Sequence, residues 1–184
     1  MSSRAVQKEL VSLLPNLRAF AISLCGDPDR ADDLVQETVL KAWKHLDSYK
    51  EGTNLRAWLF TILRNTFLSN LRSRRQTEVS LDGEVDHMAH LGVPPAQHSW
   101  LGSKDLLKAL ERLSYDQRAA IILVGAEGFT YEEAATICDC AVGTIKSRVN
   151  RARIRLLEIL GVADPVELVS DYRDTPAKAT AIFS

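Results

Sequence analysis

"FTYEEAATICDCAVGTIKSRVNRARIRL", residues 129–156, holds a short apolar run, a turn, and a longer run in which cations alternate with aliphatic side chains. Thr130-Tyr-Glu-Glu has the form of a capping box, which opens a short helix that buries Ala134, Ala135 and Ile137. "CDCAVGT" then turns the chain, and a last helix is expected from about Val142 to Leu160. A short helix, a tight turn and a longer helix with a polar first half have the spacing of a helix-turn-helix, whose second helix enters the major groove. On that second helix Ile145, Val149, Ala152, Leu156 and Ile159 form the stripe that packs back. Thr144, Lys146, Ser147, Arg148, Arg151 and Arg155 are left for phosphates and base edges. The small residues Gly143 and Ser147 beside them let the backbone come close to a duplex.

The cysteines in this stretch invite a metal reading. Cys138 and Cys140 supply two thiols, but a structural zinc site needs four ligands, and no nearby histidine or second pair completes the set. Packing around the turn as small apolar groups is the expected role, and no metal or cofactor is expected. Asp139 stands between them in the turn, and Asp tolerates a left-handed backbone better than most residues. With Cys25 the chain has three cysteines, an odd number that argues against a disulfide-stapled fold and for a reducing compartment.

Outward from this stretch, apolar residues recur at spacings of three and four in almost every segment, and alternating β-branched runs are absent. The fold is therefore expected to be all-α. The formal net charge is −1, yet the charge is segregated along the chain. Residues 72–75 read Arg-Ser-Arg-Arg, whereas 76–103 contain no Lys or Arg and carry Glu78, Asp82, Glu84 and Asp86. That second span, with Gly83, Gly92, Pro94, Pro95 and Gly102 and no sustained period, reads as a flexible acidic linker between two small helical domains. His87, His90 and His98 fall in it and His45 lies apart, with no helical pair to make a ligand set.

In the first block, Val6, Leu10, Leu13, Leu14, Leu17, Phe20, Ala21 and Leu24 give one helix, broken at Gly26 and Pro28. The next helix places Leu34, Val35, Val39, Ala42, Trp43 and Leu46 inward, so Asp33, Gln36, Glu37 and Lys41 share the outer face. A third, from about Leu55, buries Leu55, Trp58, Leu59, Ile62, Leu63, Thr66 and Leu71 and ends in the basic cluster. In the second block Leu106, Leu107, Leu110 and Leu113 lead to a further capping box at Ser114. The first twenty residues include Arg4, Lys8, Glu9 and Arg18, which excludes a signal-peptide core, and no apolar run approaches membrane-spanning length. A cytoplasmic protein with no membrane partner is expected. There is no phosphate-binding glycine loop, nucleophile elbow or spaced carboxylate pair, so no catalytic residue is assigned and no enzyme is expected.

Together these residues resemble the extracytoplasmic-function family of bacterial RNA polymerase sigma factors over nearly the whole chain. "ADDLVQETVLKAW" is similar to the family's region 2.2, "NLRAWLFTILRNTFLSNLRSRR" to regions 2.3 and 2.4, and "FTYEEAATICDCAVGTIKSRVNRAR" to region 4.2. The resemblance implies a region 2 helical bundle over residues 1–75, the linker over 76–103, a region 4 helix-turn-helix domain over 104–161 and a tail over 162–184 that no family motif explains. By motif position it assigns Asp33, Gln36, Glu37 and Lys41 to docking on core RNA polymerase. Asn54, Arg56, Arg64, Asn65, Asn70, Arg72, Arg74 and Arg75 become candidates for recognising and melting the minus-ten element, with Trp58 packed in the core. Thr144, Lys146, Ser147, Arg148, Arg151 and Arg153 become candidates for the minus-thirty-five element.

"ICDCAVGTIKSRVNRAR" and "LVQETVLKAW" further resemble the alphaproteobacterial subgroup that governs the general stress response (EcfG-type). That implies control by a small, NepR-like anti-sigma factor. The function expected is promoter-specific transcription initiation of a stress regulon. The alternative is a sigma-like decoy or a stand-alone helix-turn-helix regulator.

Overall fold

The computed structural model describes residues 3–50, 52–81 and 101–161, all secondary structure among them being helical. The chain divides into two compact units, residues 1–96 and 97–184.

The first unit holds α1 (Ser3–Cys25), α2 (Pro28–Lys44), a short 3-10 turn (Leu46–Ser48) and α3 (Leu55–Leu81), each long helix packing on the other two. Local chemistry sets the corner between α1 and α2. Gly26 takes φ 69°, a left-handed value that costs glycine little, and its N–H closes α1 on the Ile22 carbonyl at 2.8 Å. Asp27 then caps α2 by accepting the Arg30 N–H at 2.8 Å, and Pro28 occupies the first turn, where its missing N–H has no intrahelical role. An exposed bidentate pair also bridges the two helices, with Arg18 Nε and Nη2 donating to the two Asp32 oxygens at 2.6 and 3.2 Å. The Arg18 hydrogen bond holds the Asp32 carboxyl below the ordinary range, but both side chains are about half exposed and the pair contributes little to stability.

Leu17, Phe20, Ala21, Leu59, Phe60 and Leu63 are completely buried at the centre of this unit. Phe20 stacks on Phe60 with ring centroids 5.1 Å apart, a contact that contributes about 1 kcal/mol beyond the area it buries. The buried line of α2 is Ala31, Leu34, Thr38 and Ala42, small residues that let the helix lie close to its neighbours. The buried Thr38 hydroxyl is satisfied by donating to the Leu34 carbonyl at 2.7 Å.

Two expectations about this core need correction. Trp43, read as inward, is 50% exposed, because it stands one position, about 100° of helical rotation, beyond the Ala42 end of the buried line. Phe60, absent from the expected stripe of α3, is fully buried, because α3 packs on both other helices and so buries more than one face. Helix α3 also continues past Arg75 to Leu81, and the next helix begins at Leu101. No Gly or Pro occurs between Arg75 and Gly83 to stop α3 earlier. Residues 82–100, the remainder of the expected linker, and the tail over 162–184 lie outside the described residues.

The second unit comprises α4 (Leu101–Glu111), α5 (Tyr115–Ile121) continued by a wide π turn (Ile122–Ala126), α6 (Tyr131–Cys138) and α7 (Val142–Leu160). Both capping boxes read from the sequence are present. Ser114 and Gln117 exchange side-chain to backbone bonds of 3.4 and 3.3 Å, and Thr130 and Glu133 exchange bonds of 3.1 and 2.9 Å. Helix α7 packs against α4, α5 and α6. Ile145, Val149, Ala152 and Leu156 form its buried stripe as expected.

The corner between α6 and α7 turns on Asp139, the one non-glycine residue with positive φ among the described residues, at φ 49° and ψ 56°. The Asp139 N–H reaches the Thr136 carbonyl at 3.2 Å and the Cys140 N–H reaches the Ala135 carbonyl at 3.0 Å, the paired bonds of a Schellman motif. Substituting Asp139→Gly relieves the left-handed backbone and is expected to stabilise this unit by up to about 1 kcal/mol. Asp139→Val is expected to destabilise it by about 1–2 kcal/mol, because a β-branched side chain is a poor fit there. Thermal denaturation of the full chain, followed by circular dichroism, checks the opposite signs.

Candidate nucleic-acid and polymerase interfaces

The outer face of α2 divides into two pairs. Asp33 and Gln36 are exposed, whereas Glu37 and Lys41 are half-buried and tied to α3. Glu37 Oε2 accepts from Asn70 Nδ2 at 2.8 Å, Glu37 Oε1 lies 2.8 Å from Lys41 Nζ, and Lys41 Nζ reaches the buried Thr66 hydroxyl at 3.3 Å. The Asn70 amide, and after it the Lys41 ammonium, hold the Glu37 carboxyl below the ordinary glutamate range against the opposing effect of burial. Family motif position assigned Glu37 and Lys41 to one surface and Asn70 to another; the fold joins them. Beside this network a small cleft of about 60 Å³ is lined by Asp33 from α2 and by Asn70 and Arg74 from α3, with Cys25, Arg30 and Phe67 among its other walls.

On α3 the assigned residues have different settings. Asn54 is exposed and its Oδ1 accepts the Ala57 N–H at 3.0 Å, so it caps the first turn. Arg56 is half-buried, its guanidinium 5.4 Å from the Phe60 ring centroid. Arg64 is half-buried, donates to Asn65 Oδ1 at 3.4 Å, and keeps a buried Nε with no acceptor from the protein. Asn65, Arg72 and Arg74 are exposed, and the Arg75 side chain lies outside the described residues. Trp58 is half-buried and tilted against Tyr49, ring centroids 5.3 Å apart, while the Tyr49 hydroxyl donates to the Thr53 carbonyl at 2.6 Å. These two rings fix the loop that leads into α3.

On α7, Lys146 and Arg151 are exposed, Thr144 and Arg153 are half-buried, and Ser147 donates to the Thr144 carbonyl at 2.9 Å. Lys146 Nζ lies 5.7 Å from the ring centroid of Tyr131 on α6. A Cβ built on Gly143 would meet nothing within 4 Å, so the helix start is open in front. Arg155 pairs with Glu158 at 2.9 Å and is less free than the stripe pattern suggested. Arg148 departs furthest from expectation: Nη2 donates to Asp116 Oδ2 on α5 at 2.9 Å, and Nη1 lies 3.5 Å from Cys140 Sγ in the turn. Nothing local could have revealed Asp116, since it lies thirty-two positions before its partner. Cys138 is buried at 3% exposure, while Cys140 abuts the guanidinium. Among the described residues no group of three or more His, Cys, Asp or Glu side chains converges on a metal position. Nor is any of their helices long and apolar enough to cross a membrane.

If the Glu37 contacts stabilise the first unit, their contribution follows the sign of the lowered carboxyl. It is fully present above the ordinary glutamate value and is lost as pH falls through the lower folded one. Wild type is therefore expected to exceed Glu37→Gln in stability near pH 7, with the gap closing as pH falls below the ordinary glutamate range. Urea denaturation of both proteins across that range checks it.

The described residues thus form a three-helix unit with exposed arginines on its last helix and a helix-turn-helix unit with exposed cations on its last helix. Residues 10–77 match the family model for Sigma-70 region 2, and residues 103–156 match that for Sigma-70 region 4. The chain is 53% identical over 158 residues to the ECF RNA polymerase sigma factor EcfG of Rhodopseudomonas palustris, covering 86% of each chain. Its fold is similar to that of the sigma factor RpoE solved in complex with the anti-sigma factor NepR from Bartonella quintana. That match has a TM-score of 0.78 and 54% identity, over 86% of this chain and 98% of the other. The anti-anti-sigma factor PhyR of Bartonella quintana, solved with NepR, shares the fold at 18% identity and a TM-score of 0.53. There the match spans 83% of this chain and 49% of the other. The protein belongs to the extracytoplasmic-function family of RNA polymerase sigma factors.

Proposed function

We propose that the protein is a dissociable promoter-specificity subunit, which binds core RNA polymerase and directs initiation at the promoters of a stress regulon. The observation that carries this reading is the presence, in one sigma-family chain, of exposed cations on two separate helices, Arg72 and Arg74 on α3 and Lys146 and Arg151 on α7. Phosphate contact requires such local excess, whatever the net charge. In this reading the region 2 domain, residues 1–75, meets core polymerase through Asp33, Gln36, Glu37 and Lys41. The same domain meets the minus-ten element through Asn54, Arg56, Arg64, Asn65, Asn70, Arg72, Arg74 and Arg75. Residues 76–103 link it to the region 4 domain, 104–161, which meets the minus-thirty-five element through Thr144, Lys146, Ser147, Arg151 and Arg153. Arg148 serves that same surface from beneath.

The protein performs no catalysis itself and acts in the cytoplasm, where polymerase is. Its likeness to RpoE solved with NepR supports control by a small anti-sigma factor of that kind. A sigma-like decoy has no need of cations on both helices, and the fold it would share with PhyR comes at much lower identity.

Open complexes are expected, by permanganate reactivity of unpaired thymines, when the protein is mixed with core polymerase and a pool of genomic promoter fragments, and not with either component alone. No opening on any fragment overturns the reading, and tight DNA binding without core would favour a stand-alone regulator. Replacing Arg72 and Arg74 together with Gln is expected to lower opening at least tenfold, roughly 1.4 kcal/mol, with the thermal melt unchanged.

A further inference from the structure

Arg148 lies within the polar series of α7 and would be counted among the cations that face DNA, yet its guanidinium is turned into the protein. Its side chain is 23% exposed, against 48% for Asp116, and the 2.9 Å bond between them joins α7 to the first turn of α5. The same guanidinium lies 3.5 Å from Cys140 Sγ, immediately after the left-handed Asp139. One side chain thus touches α5, the turn and α7. Asp116 is well placed to hold it, since a carboxylate in the first turn of a helix is favoured by the helix dipole before any partner arrives. Arg presents several donors in a fixed planar fork, so a carboxylate engaged at one edge fixes the orientation of the whole group.

We propose that Asp116 is a positioning residue of the DNA reader. It holds Arg148 as an internal tie that sets how α7 is presented, and Arg148 therefore does not neutralise a phosphate. The inference rests on the promoter-reading function proposed above. Lys146 and Arg151, both exposed on the same helix, then carry the phosphate contacts that Arg148 does not.

The test compares holoenzymes made with wild type, Asp116→Asn, Arg148→Met, the double variant, Arg151→Gln and the charge swap Asp116→Arg with Arg148→Asp. Promoter affinity is measured over a salt series on a fragment that wild type opens, and each free chain is melted thermally. Asp116→Asn and Arg148→Met are expected to weaken binding by about tenfold at every salt concentration, and the double variant no further than either alone. The slope of log affinity against log salt stays at the wild-type value in all three. Arg151→Gln, by contrast, reduces that slope by about 0.9. The charge swap restores much of the affinity, which it would not do if residue 148 faced a phosphate.

A reduced slope for Arg148→Met, or a swap that binds worst of all, overturns the proposal. So do additive single effects. Asp116→Asn that melts lower but binds promoter as wild type does would make the pair structural only, and also overturns it. If wild-type holoenzyme has no more promoter affinity than core alone, the functional reading itself fails and the proposal falls with it.

Discussion

Burial of the apolar side of each helix against its neighbours is the interaction on which the rest of this protein depends. A helix that offers cations to a polyanion must take its stability from the other side, because like charges along an exposed face repel and its own propensity is marginal. Helix α7 does so with Ile145, Val149, Ala152 and Leu156, and α3 with Leu55, Leu59, Phe60 and Leu63, all buried. The arrangement leaves Lys146 and Arg151 in one unit, and Arg72 and Arg74 in the other, exposed. Position around the helix axis decides which residues can do surface work.

Features written within a few residues of one another were legible in the sequence. Both capping boxes and the stripe of α7 depend on spacings of three or four, and the chain alone carries that information. The all-helical class and the division into two helical blocks follow from the same periodicity. Errors arose where a helix has more than one neighbour. Trp43 fitted the apolar period of α2 but stands past the line of small residues that makes the contact, and Phe60 broke the expected stripe of α3 yet is fully buried, stacked on Phe20 of α1.

The candidate interfaces were legible in their residue types and less so in their geometry. Cations on α3 and α7 and carboxylates on α2 could be counted from the sequence, but which of them are already engaged depends on pairs far apart in the chain. Glu37 meets Asn70 and Arg148 meets Asp116 across helix pairs whose register the sequence does not state. Asn54 likewise holds the start of α3 with its side-chain oxygen, which accepts the Ala57 N–H. Polar side chains of a reader helix thus fall into two kinds, those that touch the ligand and those that hold the first kind still. Side-chain type alone does not distinguish them.

The hydrogen bond between Glu37 and Asn70 carries a thermodynamic consequence. It makes the outer face of α2 and the flank of α3 adjacent parts of one network, with Lys41 and Thr66 closing the other side. A ligand on one face that draws Glu37 away alters the freedom of Asn70 on the other, and linkage requires the effect to run equally in both directions. Two surfaces that a sequence motif would treat as separate addresses share one carboxylate in this structure.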